Sequence, residues 1–291
     1  MATKRKRSND ILVPAKDALK FDNNTIRILV GVPSSPKEYF AYAFQLVDRS
    51  RFFRNALSHD WKEATEKIIK LPHDSSEVFG GYLSMVLTGN IAIGEELDRE
   101  VEHPRDRVLE VVNERYRTLV ELFVLRDKLQ DVQGMNNVID AAVEQDRIEY
   151  PYSDHSSDRQ YGNANSTDEG IAPSEIRSNN ALTGSMRHHI LPNGYLIEYL
   201  YLNTVRPSNL RRLVVDIWTK YPRFLGKNLY KMEFHHEFVL AIAKRLVQLV
   251  PTVPTTSHAN IDNLRPENYY QEDEINENKE EVPATKQAKT A

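Results

Sequence analysis

LPHDSSEVFGGYLSMVLTGNI, residues Leu71–Ile91, reads as a strand end, a turn, and a capped helix closed by glycine. Pro72 lacks the amide hydrogen that a sheet ladder needs, so it stops the strand running from Lys67 to Leu71. Asp74, Ser75 and Ser76 each carry an oxygen able to accept from a free first-turn amide. With Asp74 as the cap, Glu77 falls where it can reach back, as in a capping box. Val78, Tyr82 and Val86 then share one stripe, and Phe79, Leu83 and Leu87 the next, which predicts a largely buried helix. Gly89 suits a left-handed C-cap. Ile91-Ala92-Ile93 is expected to form a short edge strand, and Gly80-Gly81 to permit close packing inside the helix.

Upstream, Ile26, Ile28 and Val30 alternate onto one face of a strand, and Gly31 closes it. Pro33 to Pro36 turn the chain, and Tyr39 to Tyr42 return as a second strand. From Ala43 to about Ser58 the period becomes helical, which predicts two short helices. Phe44, Val47 and then Arg51 or Phe52 step along one face, with Leu46, Ser50 and Phe53 beside it. Tyr39, Phe40, Tyr42, Phe44, Phe52 and Phe53 should mostly enter the core. Exposed apolar groups on a first helix mark a binding surface, and Phe44, Val47 and Arg51 are the candidates.

Downstream, Gly94 to Arg107 is dense in charge and reads as an exposed loop. Leu119, Leu122, Leu125 (or Arg126) and Leu129, widened by Tyr116 and Phe123, mark a long amphipathic helix. Gln133-Gly134-Met135 is expected to turn the chain, with Asn136 capping a second helix that carries Val138, Ile139, Ala142 and Val143. Periodicity then vanishes from Asp146 to Ser185, where polar residues, Gly and Pro dominate. It returns at Leu196, Ile197, Leu200 and Tyr201. A further helix opens at Pro207-Ser208, with Ser208 capping and Leu210, Leu213, Val214 and Ile217 inside. The last runs from about Tyr230 to Val250, with Phe234, Phe238, Ile242 and Leu249 near one stripe and Leu246 alongside. The order is α+β: a small three-stranded sheet flanked by a helical cluster, with a helical C-terminal extension. The expected divisions are a basic tail over 1–24, a domain over 25–145, a polar linker over 146–185, the extension over 186–250 and an acidic tail over 251–291.

Composition narrows the chemistry. The absence of cysteine among the 291 residues removes disulfides, thiolate zinc sites and cysteine nucleophiles. A net charge of -4 gives no general attraction to nucleic acid. No apolar segment has the length of a membrane span or signal peptide, so an intracellular protein, nuclear or cytoplasmic, is expected. Lys4-Arg5-Lys6-Arg7 has the form of a nuclear import signal or a solvated end. His188-His189 and His235-His236 are adjacent pairs, which on a helix diverge instead of converging on one ion. Asp154-His155-Ser156 brings triad residue types together where no core would hold their geometry. Arg206, Arg211, Arg212, Arg223 and Lys227 lie near one helix, and Arg211 and Arg212 are expected on its solvated face. No cofactor and no catalytic constellation follow from these patterns.

Four segments in order resemble the BTB/POZ family in its filamentous-fungal form. VDRSRFFRNALSHDWKEA (Val47–Ala64) is similar to the segment in which a Ser precedes a Phe-Phe pair and a Lys-Glu-Ala follows. Leu71–Ile91 resembles the Leu-Pro strand end, acidic cap and Thr-Gly close. LVELFVLRDKLQDVQGMNNVIDA (Leu119–Ala141) is similar to the helical hairpin, and YLNTVRPSNLRRLVVDIW (Tyr201–Trp218) to the helical extension. Tyr42 stands where the family usually carries His, and Leu87 where it carries an aromatic residue. The resemblance implies a BTB/POZ fold and a non-catalytic association module. Its expected partners are proteins: a second copy in a homodimer, other BTB proteins, or a cullin ubiquitin ligase served as adaptor. A nuclear role in transcription is the further alternative, with neither nucleic acid nor membrane bound directly.

Overall fold

The computed structural model describes residues 24–58, 61–98, 101, 103–153, 187–205, 208–221, 225, 234–249 and 264–271. Strands β1 (Thr25–Val30), β2 (Lys37–Tyr42) and β3 (Ile68–Leu71) form a three-stranded sheet in the order β2-β1-β3. β1 runs antiparallel to β2 and parallel to β3, so the sheet is mixed. Ile26, Ile28 and Val30 are buried, because every second side chain of a strand points to the same side.

Three helices bridge β2 and β3: α1 (Ala43–Arg49), α2 (Arg51–Leu57) and a short α3 (Lys62–Glu66) that the sequence pattern does not predict. Ser50 separates the first two. Its backbone is extended, and its hydroxyl accepts from the Phe53 amide at 3.2 Å while donating to the Leu129 carbonyl at 2.6 Å. Lys67 ends α3 at φ 53, so β3 starts one residue later than the apolar run indicates.

In α4 (Ser76–Thr88) the cap is Ser75, which accepts from the Val78 amide. The expected capping box is therefore replaced: Asp74 instead pairs with Lys128 at 2.6 Å. Phe79, Tyr82 and Met85 are fully buried, whereas Leu87 is 63% exposed. The helix packs through a single narrow face against α1 and the next helix, which rotates its buried stripe away from Leu87. Gly89 caps the end at φ 76. Ile91 and Ile93 pack against the core without forming a strand.

The long helix α5 (Arg105–Leu129) begins well before its leucine repeat. Val108, Val111, Val112 and Tyr116 build a second small core with Leu97, Tyr150, Ile190 and Leu196. The loop expected from Gly94 to Arg107 is therefore tied down at Leu97 and at β4 (His103–Pro104). The corner into α6 (Val132–Asp146) is also relocated. The chain turns at Gln130, φ 55, and Asp131 caps α6 by accepting from the Gly134 amide at 2.8 Å. Gly134 is not a turn residue and Asn136 is not a cap. Both lie inside α6, and a Cβ on Gly134 would stand 1.5 Å from Arg126 Nη1.

Where the period vanishes after Asp146, the structure places β5 (Tyr150–Ser153), parallel to β4 and antiparallel to β6 (Arg187–His188). Residues 154–186, including Asp154-His155-Ser156, lie outside the described residues. The extension follows as α7 (Gly194–Asn203), α8 (Asn209–Lys220) and α9 (His236–Leu249). Leu196, Ile197, Leu200, Tyr201, Leu210, Leu213, Val214, Ile217, Phe238 and Ile242 are buried as their spacing predicts. Ser208 occupies the N-cap of α8 without a side-chain cap bond.

Arg211 reverses its expected orientation. It is 7% exposed and donates to the Tyr201 carbonyl at 2.6 Å, the Thr204 hydroxyl at 2.8 Å and the Thr204 carbonyl. The last carbonyls of α7 have no helical partner, and a guanidinium fork satisfies them inside the fold. Residues 264–271, expected in a polar tail, return to the body through a 3-10 turn, Pro266–Tyr269, that buries Leu264 and Tyr269.

Candidate interaction surface

Among the described residues β2 is an edge strand, and alternation divides its aromatic residues. Tyr39 and Ala41 turn inward, where Tyr39 donates to the Ser76 carbonyl and its ring meets Phe79 edge-on at 5.2 Å. A Cβ on Gly80 would approach the Tyr39 hydroxyl to 3.3 Å, so the small residue lets strand and helix close. Phe40 and Tyr42 occupy the opposite face, and Phe40 is 69% exposed.

α1 continues this strip. Ala43 and Leu46 are buried while Phe44 and Val47 are half-buried, and the Phe44 ring lies 5.9 Å from that of Tyr42. Phe40, Tyr42, Phe44 and Val47 thus border the same end of the sheet. Arg51 is exposed but starts α2, so it does not extend the α1 stripe as the spacing predicts; the extended Ser50 breaks the helix between them. The early aromatic cluster is also mostly outside the deep core. Of its members only Phe53 is buried, and among the described residues no helix covers the outer face of β2.

A groove of about 720 Å³ opens on the other edge of the sheet. Phe52, Ala56 and Trp61 form one wall, and Ile68, Ile69 and Lys70 of β3 the other. Trp61 is 63% exposed. Among the described residues, β3 has no strand partner on that side.

Between these surfaces lies a buried ion pair. Arg126 donates to Asp131, and neither side chain has any exposure. The guanidinium also stacks over the Tyr82 ring at 4.9 Å. Burial lowers the Arg126 pKa, opposed by the Asp131 carboxylate, and burial raises that of the Tyr82 phenol. Closed from solvent, these groups join α4, α5 and α6. A second buried carboxyl, Asp146, is held up by burial and countered by Lys220 at 3.1 Å.

The remaining sequence candidates scatter. Lys4–Arg7, Arg206, Arg223 and Lys227 lie outside the described residues. His189 is hydrogen-bonded to the Asp146 carbonyl at 3.0 Å and packs on Tyr221 at 4.9 Å. His235 and His236 stack on each other at 4.7 Å. Among the described residues no group of three His, Asp or Glu side chains is arranged to hold a metal, and no helix is long and apolar enough to cross a membrane. Phe40, one of the early aromatic residues expected mostly in the core, lies on the surface; its phase along β2, opposite to Tyr39, is the signal that finds it. No family model matches this chain, and no curated protein matches it.

Proposed function

We propose that the chain is a BTB/POZ-type association module that pairs with a second copy of itself, or with a related protein, through β2 and α1. The observation that carries this reading is the apolar strip of exposed Phe40 and half-buried Tyr42, Phe44 and Val47, which the described residues leave partly open at one end of the sheet. Aromatic side chains on an exposed face are the usual anchors of protein interfaces, because they bury large area at low entropic cost. The order of elements supports the family assignment: a mixed sheet β2-β1-β3, three short helices between hairpin and third strand, then a capped helix and a helical hairpin. The first three quoted segments fall on these elements and the fourth on α7 and α8.

Light scattering on the full chain across a concentration range tests it. The expected mass is twice 33.6 kDa at high concentration, falling toward the monomer on dilution. Val47→Asp sets a charge in the interface and shifts the midpoint upward by at least about tenfold. A monomer at every concentration, or a dimer indifferent to Val47→Asp and Phe40→Ala, removes the assignment.

A further inference from the structure

Residues 264–271 occupy a cleft between α6 and α8 as a peptide occupies a receptor. Tyr269 is 4% exposed and its hydroxyl donates to Asp216 Oδ2 at 2.7 Å, while the other oxygen of that carboxylate accepts from Arg245 at 2.5 Å. The Tyr270 hydroxyl donates to Asp140. Asn136 takes both backbone groups of Gln271, donating to its carbonyl at 3.2 Å and accepting from its amide at 2.7 Å. Asn209 donates to the Tyr270 carbonyl at 2.9 Å, and Arg147 to the Leu264 carbonyl at 3.0 Å. The Arg212 guanidinium lies over the Tyr269 ring, 5.8 Å from its centre.

This division of labour is that of linear-peptide recognition, in which fixed side chains hold the ligand backbone and pockets read selected residues. The groups that hold the segment stand on helices anchored in the main core, whose margin Leu264 and Tyr269 complete. Val138, Ile139 and Val143 anchor α6, and Leu213, Val214 and Ile217 anchor α8. Asp216 also pairs with Arg245, a partner outside the segment. Each phenol is read by a carboxylate, which accepts a neutral hydroxyl and repels a phosphate ester.

We propose that this cleft is a binding site for a linear peptide with leucine followed five positions later by two unmodified tyrosines, occupied in cis by the chain's own residues 264–271. The inference stands apart from the association surface at β2 and α1, since the cleft lies on α6 and α8.

The test uses the full chain carrying Tyr269→Ala and Tyr270→Ala, titrated with a fluorescein-labelled peptide of residues 263–272. The double variant binds the peptide saturably. The wild type binds it about a hundredfold more weakly, because a cis segment at about millimolar effective concentration competes with a peptide whose Kd is on the order of 10 µM. Adding Asn136→Ala to the double variant weakens binding at least about tenfold, consistent with losing both backbone hydrogen bonds, and the doubly phosphorylated peptide does not bind. Absence of saturable binding to a double variant with wild-type helical circular dichroism overturns the proposal. So does equal binding to wild type and variant. A wild-type dimer that dissociates in the double tyrosine variant, yet survives Val47→Asp, overturns cis occupancy by placing the segment in a second copy.

Discussion

Two carboxylates organise two regions of this molecule in opposite ways. Asp131 sits at the corner of α5 and α6, has no exposure, and pairs with an arginine five residues away. Asp216 sits on α8, is 13% exposed, and gathers Arg245 from α9 and Tyr269 from the returning segment. The first closes a local turn with charges taken fully out of water, so losing one partner strands the other in the core. The second joins segments distant in the chain at a slightly exposed carboxylate, through contacts that involve separate elements. A corner sealed by local charge acts as a lock, and a hub assembled from remote segments acts as a latch.

The sharpest break of this contrast is Asp131→Ala. It leaves Arg126 buried without its anion and is expected to cost about 3–5 kcal/mol in urea denaturation. A loss below about 1 kcal/mol would show that the corner is not locked by charge. Ser50→Ala comes next, since Ser50 ties α2 to the same corner through the Leu129 carbonyl. An expected loss of about 1–3 kcal/mol reflects a buried carbonyl left without its donor, and little change would detach α2 from the lock. Tyr269→Phe acts on the latch. Removing a hydrogen bond to a carboxylate is worth about 1.5–3 kcal/mol locally, so exchange of the Gln271 amide accelerates roughly 10–100-fold while the global transition stays put. A fall in global stability of the same size would make the segment part of the cooperative core.

The smallest effect is spectroscopic. Hydrogen bonding to Asp140, with burial adding to it, pushes the Tyr270 phenol up to about 12 from its ordinary value of 10.0. A phenol whose docked pKa is raised stabilises docking fully below pH 10, and that contribution fades as pH rises through about 12. The ultraviolet titration difference between wild type and Tyr270→Phe should therefore show one tyrosine ionising near pH 12. A midpoint near 10 would mean that the ring is not held by Asp140.

Legibility followed the range of the forces involved. The alternation Ile26, Ile28, Val30 and the helical spacing of Leu210, Leu213, Val214 and Ile217 place those residues in the core, and the structure buries all seven. Gly89 ends its helix as its conformational freedom predicts. Errors came where a polar residue found a remote or unexpected partner. Asp74 went to Lys128, leaving the cap to Ser75; Arg211 turned inward to the end of α7; Gly134 made room for Arg126. For the candidate surface, Phe44 and Val47 were readable from helical phase. Strand phase puts Phe40 opposite Tyr39, but only the tertiary arrangement shows that the described residues leave that face of β2 open.

Within the sequence alone, β1 to β3, the main helices and most of the apolar faces are legible, since period is set by neighbours within about four residues, whereas the caps of α4 and α6 and the strands β4 to β6 are not. Only the tertiary structure decided which charges are buried, where α5 turns into α6, and that Tyr269 and Tyr270 return to Asp216 and Asp140. A buried polar group is stable only when its partner is in place, and for the latch that partner lies 53 or 130 residues away, beyond any local pattern.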